Sequence, residues 1–297
     1  MRVAILGSTG YLGSRLARRL RDNTAVADDR EIVCVYRKTS DLAPLADLRG
    51  QITPVLNDYD SLKRCFGTGQ TFDCVINTAC SYLRGATNEQ VMESNLLFPL
   101  HVLDMVAERG RIQGKRTRFI SIGTGLPDAF NLYTYTKKQL NDMGRYLAGL
   151  GHVQFINIEL ENYYGPHEPA ERFLPQCIRS LAAGEPVLLT SGEQHRDFVH
   201  IEDVLDALMR SIAHERLPNY FDVPIGSGEA PSIHELITYL AALLHSPSEL
   251  RFGAVTARQN EPSCCADLSA YLMMGGAVRW PWRQGLKQLL IEEGYAL

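Results

Sequence analysis

The chain has no surplus of positive charge: its 297 residues carry 30 Lys+Arg against 34 Asp+Glu, a formal net charge of −4. Nucleic-acid binders gather basic residues against phosphate, and no basic run occurs here, which argues against that class of partner. Nor does any apolar run approach the ~18–20 residues of a membrane span, because Gly, Arg or Asp breaks each stretch within a few residues. The first apolar segment, residues 3–6, is too short for a secretory signal. A soluble, cytoplasmic protein with no membrane contact is therefore expected. The seven cysteines, Cys34, Cys65, Cys74, Cys80, Cys177, Cys264 and Cys265, show neither a C-x-x-C spacing nor a His pattern of the zinc type. Reduced, mostly buried thiols and no metal site are expected. Repeats, low-complexity tracts and long linkers are missing as well. At 45% hydrophobic and 22% charged, the chain has the composition of a folded protein with a well-filled core.

What is there alternates with a clear period. Residues 3–6, 31–36, 52–56, 72–77, 118–122 and 153–160 read as strands. Residues 11–21, 61–66, 89–109 and 133–150 carry apolar side chains at helical spacing, with Asn88 and Asn131 as candidate caps. Strand and helix in alternation predict parallel pairing and an α/β, Rossmann-type doubly wound sheet. After Gly165-Pro166 the texture changes, with helices over 171–183 and 232–245, one starting at Ile201, and a last one from Gln284. Two parts are expected: a dinucleotide-binding domain of residues 1–165 to which 193–218 return, and a smaller, partly interleaved C-terminal substrate lobe of residues 166–192 and 219–297.

The first strand runs into Gly7-Ser-Thr-Gly10-Tyr-Leu-Gly13. Gly7 permits a tight turn, Gly10 lets backbone approach a pyrophosphate, and Gly13 allows close packing of helix on strand. At the first strand-to-helix junction of an alternating chain, that triplet predicts a dinucleotide site. An NAD-selective site places an acid at the end of the second strand; here that end reads Tyr36-Arg37-Lys38-Thr39-Ser40, with no carboxylate before Asp41. A guanidinium at Arg37 suits a 2′-phosphate, so NADP(H) is the expected cofactor, the alternative being a solvated loop charge. Asp58, after the third strand, is a candidate acceptor for the adenine amine.

Tyr133-Thr-Tyr-Thr-Lys137 sets a phenol and an ammonium four residues apart on one helix face. A neighbouring cation favours phenolate and readies the phenol for proton transfer. The pair follows the strand that ends in Ser121-Ile-Gly-Thr124, and ligands of such sheets sit beyond the strand carboxyl ends.

These motifs, with Asn77-Thr-Ala-Cys80, Asn95, Tyr164-Gly-Pro166 and Arg196-Asp-Phe-Val-His-Ile-Glu-Asp203, resemble an extended short-chain dehydrogenase/reductase of the NAD-dependent epimerase/dehydratase family. Segments 93–99, 131–139 and 189–198 are most similar to its abequose and tyvelose branch of nucleotide-sugar enzymes, whose abequose synthases reduce a 4-ketone on a deoxysugar nucleotide. The resemblance implies cofactor contacts from Gly7, Thr9, Gly10, Tyr11, Leu12, Gly13, Arg37, Asp58, Ala79 and Lys137. It implies Tyr133 as proton donor, Lys137 as ribose holder and Thr124 as hydrogen-bond donor to the developing alkoxide. Asn95 is implied as part of a proton relay, with a core amide as the open alternative. Asn162 and Arg196 match positions that often contact a substrate diphosphate, with pairing of Arg196 to Asp197 or a neighbouring acid as the alternative, and Tyr163-Tyr164 adds aromatic surface beside the nicotinamide, with Tyr164 a candidate substrate contact. Departures from the family are the eight residues separating Thr124 from Tyr133, Glu159 where Arg is usual, and Leu132 for a common Pro. The expected activity is an NADPH-dependent reduction of a small-molecule ketone, first a 4-keto-deoxysugar nucleotide. A polyketide ketone of the angucyclinone type, a nucleotide-sugar epimerase and a non-catalytic NADP(H) sensor are the alternatives. The helices at 89–109 and 133–150 resemble those that pair in dimers of this superfamily, so a homodimer is a further expectation.

Overall fold

Strands rich in Val and Ile and helices with one apolar face follow one another in the computed structural model, which describes residues 1–23, 30–82, 85–128, 130–257 and 261–297. The first part holds β1 (Arg2–Leu6), α1 (Tyr11–Asp22), β2 (Glu31–Tyr36), β3 (Thr53–Leu56), α2 (Tyr59–Phe66), β4 (Cys74–Asn77), α3 (Asn88–Met92), α4 (Phe98–Gln113), β5 (Arg118–Ile122), α5 (Leu132–Gly149) and β6 (Gln154–Leu160). Then come β7 (Asn162–Tyr164), α6 (Phe173–Ala183), β8 (Val187–Leu188), β9 (Phe198–His200), α7 (Ile201–Ala213), β10 (Tyr220–Ile225), α8 (Ile233–Leu243), β11 (Leu250–Arg251), α9 (Ser269–Met273) and α10 (Trp282–Glu292).

The central sheet runs β10-β6-β5-β4-β1-β2-β3. Its order turns back between β1 and β4, the switch point of a doubly wound fold. Pairing is parallel from β3 through to β6, as right-handed crossovers demand. Pro54, which has no N–H to donate, lies on the edge strand β3, where its loss costs least. Leu6 is level with Val35 and Asn77, and Asn77 with Ser121. The carboxyl ends of β2, β1, β4 and β5 therefore form one rim. Beneath it, Phe119 and Phe155 stack at 5.7 Å, and α5 approaches β6 so closely at Gly144 that a Cβ there would strike the Phe155 ring.

Where one helix is expected over 89–109, two occur, joined by a π-helical turn at Glu93–Leu97. Pro99 explains the break. It has no N–H to give to the carbonyl of Asn95, and its ring crowds that carbonyl, so the wider turn relieves both. The N-cap is Thr87, which shares a capping box with Gln90, rather than Asn88, the first helical residue. Asn131 does cap α5.

Two units make up the chain: Met1–Glu159 with Leu208–Val223, and Leu160–Ala207 with Pro224–Leu297. The segment rejoining the first unit thus begins later than residue 193. Residues 196–200 stay in the second unit because β9 pairs with β7 in a sheet of their own. That unit is built on Leu174, Ile178, Leu236, Leu240, Trp282 and Leu286. Its polar centre is Asp197, wholly buried, whose carboxylate accepts from the backbone of Ser227 (2.6 Å), Gly228 (3.1 Å) and Ala266 (3.2 Å) and from the Ser227 hydroxyl (2.7 Å). Among the described residues no helix is long and apolar enough to cross a membrane, and no group of three or more His, Cys, Asp or Glu gathers as a metal would require.

Candidate active site

The rim of the parallel sheet brings together most of the residues singled out in the first unit. At the end of β1, Gly7 has φ +76°, and a Cβ there would lie 2.7 Å from the Cα of Ala79. A side chain at Gly13 would collide with the Gly7 carbonyl oxygen. At Gly10, the residue that caps α1 and is exposed, the nearest atom to an added Cβ is the Gly7 oxygen at 3.3 Å. Bare backbone at the N-terminus of α1, with Thr9 and Tyr11 half-buried on either side of Gly10 in the chain and Leu12 buried, is what a pyrophosphate needs, so the cradle fits the dinucleotide.

Arg37, just past β2, is exposed; its backbone N–H donates to the Ser40 hydroxyl at 3.2 Å, and its guanidinium pairs with no acid among the described residues. Asp41, the nearest carboxylate, accepts from the Ala43 N–H at 2.9 Å. Asp58 has one oxygen committed to capping α2, through the Ser61 N–H at 2.9 Å. That bond holds its carboxyl below the usual carboxylate range.

Lys137 is 3% exposed and donates to the carbonyls of Ile122 (2.9 Å) and Ala79 (3.2 Å). Two of its three ammonium hydrogens are thus used and one is left for a ligand. Burial pushes its pKa down, and the nearby Cys80 pushes it up by less. Thr124, also buried, accepts from the Leu126 N–H at 3.2 Å, which leaves its hydroxyl hydrogen to donate. Tyr133 stands in the first turn of α5, one turn before Lys137. Its ring lies 5.3 Å from that of Tyr82, tilted by 30°. Glu159 pairs with Lys138 at 3.3 Å, and Lys138 also reaches the exposed Asp128 at 3.4 Å.

Asn95 sits in the π turn, fully buried. Its Oδ1 accepts from the Ser81 N–H at 2.7 Å, and its Nδ2 donates to the Ser81 carbonyl at 2.9 Å and to the Thr136 hydroxyl at 3.3 Å. Both amide hydrogens and the oxygen are engaged internally, the geometry of a core amide rather than of a relay.

The expected substrate contacts lie in the second unit, and two need correction. Tyr164 has 0% exposure within the apolar core, pressed by Gly285, where a Cβ would strike its hydroxyl. It offers no surface to a ligand, and burial raises its pKa further. Arg196 is also buried, its guanidinium held by Glu261 at 3.1 Å and the His195 carbonyl at 3.1 Å. This is the neighbouring-acid alternative, with Glu261 as the acid. Asn162 remains exposed, with its backbone N–H and Nδ2 both donating to the Asp197 carbonyl. Sequence reasoning did not single out Tyr82, Ser81 or the structural part of Asp197. Tyr82 directly follows the Asn77-Thr-Ala-Cys-Ser stretch, and that adjacency was the available signal.

The sequence profile of the NAD dependent epimerase/dehydratase family matches residues 3–226. Over 297 residues the chain is 25% identical to the CDP-abequose synthase of Salmonella typhimurium, spanning 97% of each protein. It is 24% identical over 283 residues to the dTDP-4-dehydro-6-deoxy-D-allose reductase of Streptomyces bikiniensis, spanning 84% of this chain and 83% of that one. Among solved structures, the UDP-glucuronic acid 4-epimerase of Bacillus cereus, in complex with UDP-glucuronic acid and NAD, has a similar fold. Its TM-score is 0.84 at 18% identity, over 99% of both chains. With a profile match over three quarters of its length and the glycine cradle, Thr124, Tyr133 and Lys137 along one rim, the chain belongs to the NAD dependent epimerase/dehydratase family of oxidoreductases.

Proposed function

We propose that the protein reduces a ketone to a secondary alcohol, using NADPH, and that the ketone is a 4-keto-deoxysugar linked to a nucleotide. The observation that carries this reading is the placing of Lys137, whose ammonium is bound by two backbone carbonyls one helical turn from Tyr133. When bound, the dinucleotide supplies the hydride. Tyr133 delivers its phenolic proton to the carbonyl oxygen as negative charge builds there, and Thr124 donates a hydrogen bond to the same oxygen. Lys137 stabilises the phenolate left behind and keeps one N–H for the nicotinamide ribose. Arg37, exposed at the end of β2 and paired with no acid among the described residues, supports the choice of NADPH through a bidentate grip on a 2′-phosphate. The two reductive relatives support the sugar nucleotide.

The test is the absorbance at 340 nm when enzyme and NADPH meet a CDP- or dTDP-linked 4-keto-6-deoxyhexose. Stoichiometric loss of absorbance with formation of one new carbinol is expected. Epimerisation without net absorbance change would replace this reading with an epimerase, and turnover of an aromatic ketone alone would replace the substrate. A homodimer goes with the proposal: Leu97 and Ile112, around α4, and Tyr135 and Tyr146 on α5 are exposed. Light scattering should give twice the 33.2 kDa chain mass.

A further inference from the structure

Tyr82 and Tyr133 come from different parts of the chain, yet the backbone beside each is tied to one side chain. The Asn95 amide holds both the N–H and the carbonyl of Ser81. That carbonyl belongs to the peptide plane leading into Tyr82, so the backbone entering Tyr82 is fixed. The same Nδ2 reaches the Thr136 hydroxyl, which itself donates to the backbone carbonyl of Tyr133 at 2.9 Å. The two rings are thereby referenced to a common anchor and meet at 5.3 Å, within the range of a favourable aromatic pair. Tyr82 is 48% exposed, and its ring is partly covered where it meets Tyr133. Tyr133 occupies the first turn of α5.

We infer that Tyr82 is a positioning residue for the reaction: its ring, held through Ser81 and Asn95, keeps the Tyr133 phenol in the orientation from which it gives up its proton. This rests on the reading of Tyr133 as the acid. A loose phenol still binds nothing differently in the ground state; it spends less time aligned with the carbonyl, so the loss falls on kcat rather than KM.

The experiment uses the whole enzyme in which tyrosines carry 13C at the ring Cζ, with the Tyr133 resonance assigned by its disappearance in Tyr133→Phe. Tyr82→Ala should shift and broaden that resonance and lower kcat on the 4-keto-6-deoxyhexose nucleotide about three- to tenfold, the range of one aromatic pair. KM and NADPH affinity should stay within about twofold. Tyr82→Phe should restore both the resonance and kcat. Tyr82→Leu, which keeps apolar bulk without a π face, should behave like Tyr82→Ala and guards against misfolding of the smaller variant. A Tyr133 resonance unmoved in Tyr82→Ala and Tyr82→Leu, or equal kcat losses in Tyr82→Phe and Tyr82→Ala, would overturn the inference. If Tyr133→Phe turns over normally, the acid assignment fails instead, and the resonance still reports whether Tyr82 orders the ring.

Discussion

Replacing Asn95 with Ala removes three hydrogen bonds at once, and their geometry allows the effect to be sized. The Ser81 N–H and carbonyl lose partners at 2.7 and 2.9 Å, and Thr136 loses a weaker one at 3.3 Å. A stranded buried polar group costs about 1–3 kcal/mol, and a weak bond about 0.5 kcal/mol. Water recovers part of the loss because Ser81 is only half-buried, leaving about 2–4 kcal/mol. For a urea m-value of about 3 kcal/mol/M, the unfolding midpoint should fall by about 1 M. Turnover should fall too, since Tyr82 and Tyr133 lose their shared anchor, while NADPH affinity, read by fluorescence titration, should hold. A midpoint within about 0.2 M of the parent with unchanged kcat would refute the clamp. A stable variant with abolished turnover would revive the proton relay.

Two further outcomes follow from other parts of the chain. Arg37→Ala should weaken NADPH binding about ten- to a hundredfold, the worth of hydrogen bonds to a charged group, and leave NADH nearly untouched; equal losses for both would contradict the 2′-phosphate contact. Glu168, with its side chain 5% exposed and paired to Arg172 at 2.9 Å, has its pKa pushed up to about 7 by burial, against the smaller opposing effects of Arg172 and the Gly165 N–H. Its folded pKa lies above the unfolded value, so the native state holds the extra proton. Stability should therefore decline as pH rises from about 4.5 to 7, by on the order of 3 kcal/mol, and level off above. Urea midpoints across that range should show a shallower slope in Glu168→Gln; identical slopes would rule the assignment out.

Much of the sheet was legible because its signals are local. Val-Ile-rich strands, a glycine triplet at the first junction and a Tyr-x-x-x-Lys turn each declare themselves within a few residues. What escaped depended on partners far along the chain. Nothing near Arg196 announces that Glu261 neutralises it, and nothing near Tyr164 says that Gly285 and Trp282 will enclose it. The break at Glu93–Leu97 is a different case, since Pro99 lies four residues after Asn95 and forbids the ordinary helical bond between them. That rule was readable and would also have marked Asn95 as a bend rather than a mid-helix residue. The Tyr82–Tyr133 contact could not be reached from periodicity, because Tyr82 lies in neither a strand nor a helix.

The most direct measurement supplies NADPH carrying deuterium at the transferable position of the nicotinamide, together with the 4-keto-6-deoxyhexose nucleotide, and locates the label by NMR in wild type and Tyr133→Phe. The account predicts one deuterium on the former carbonyl carbon of the product, and a large loss of turnover in the variant with its coenzyme affinity preserved. Product free of deuterium, or a Tyr133→Phe enzyme as fast as the parent, would contradict it.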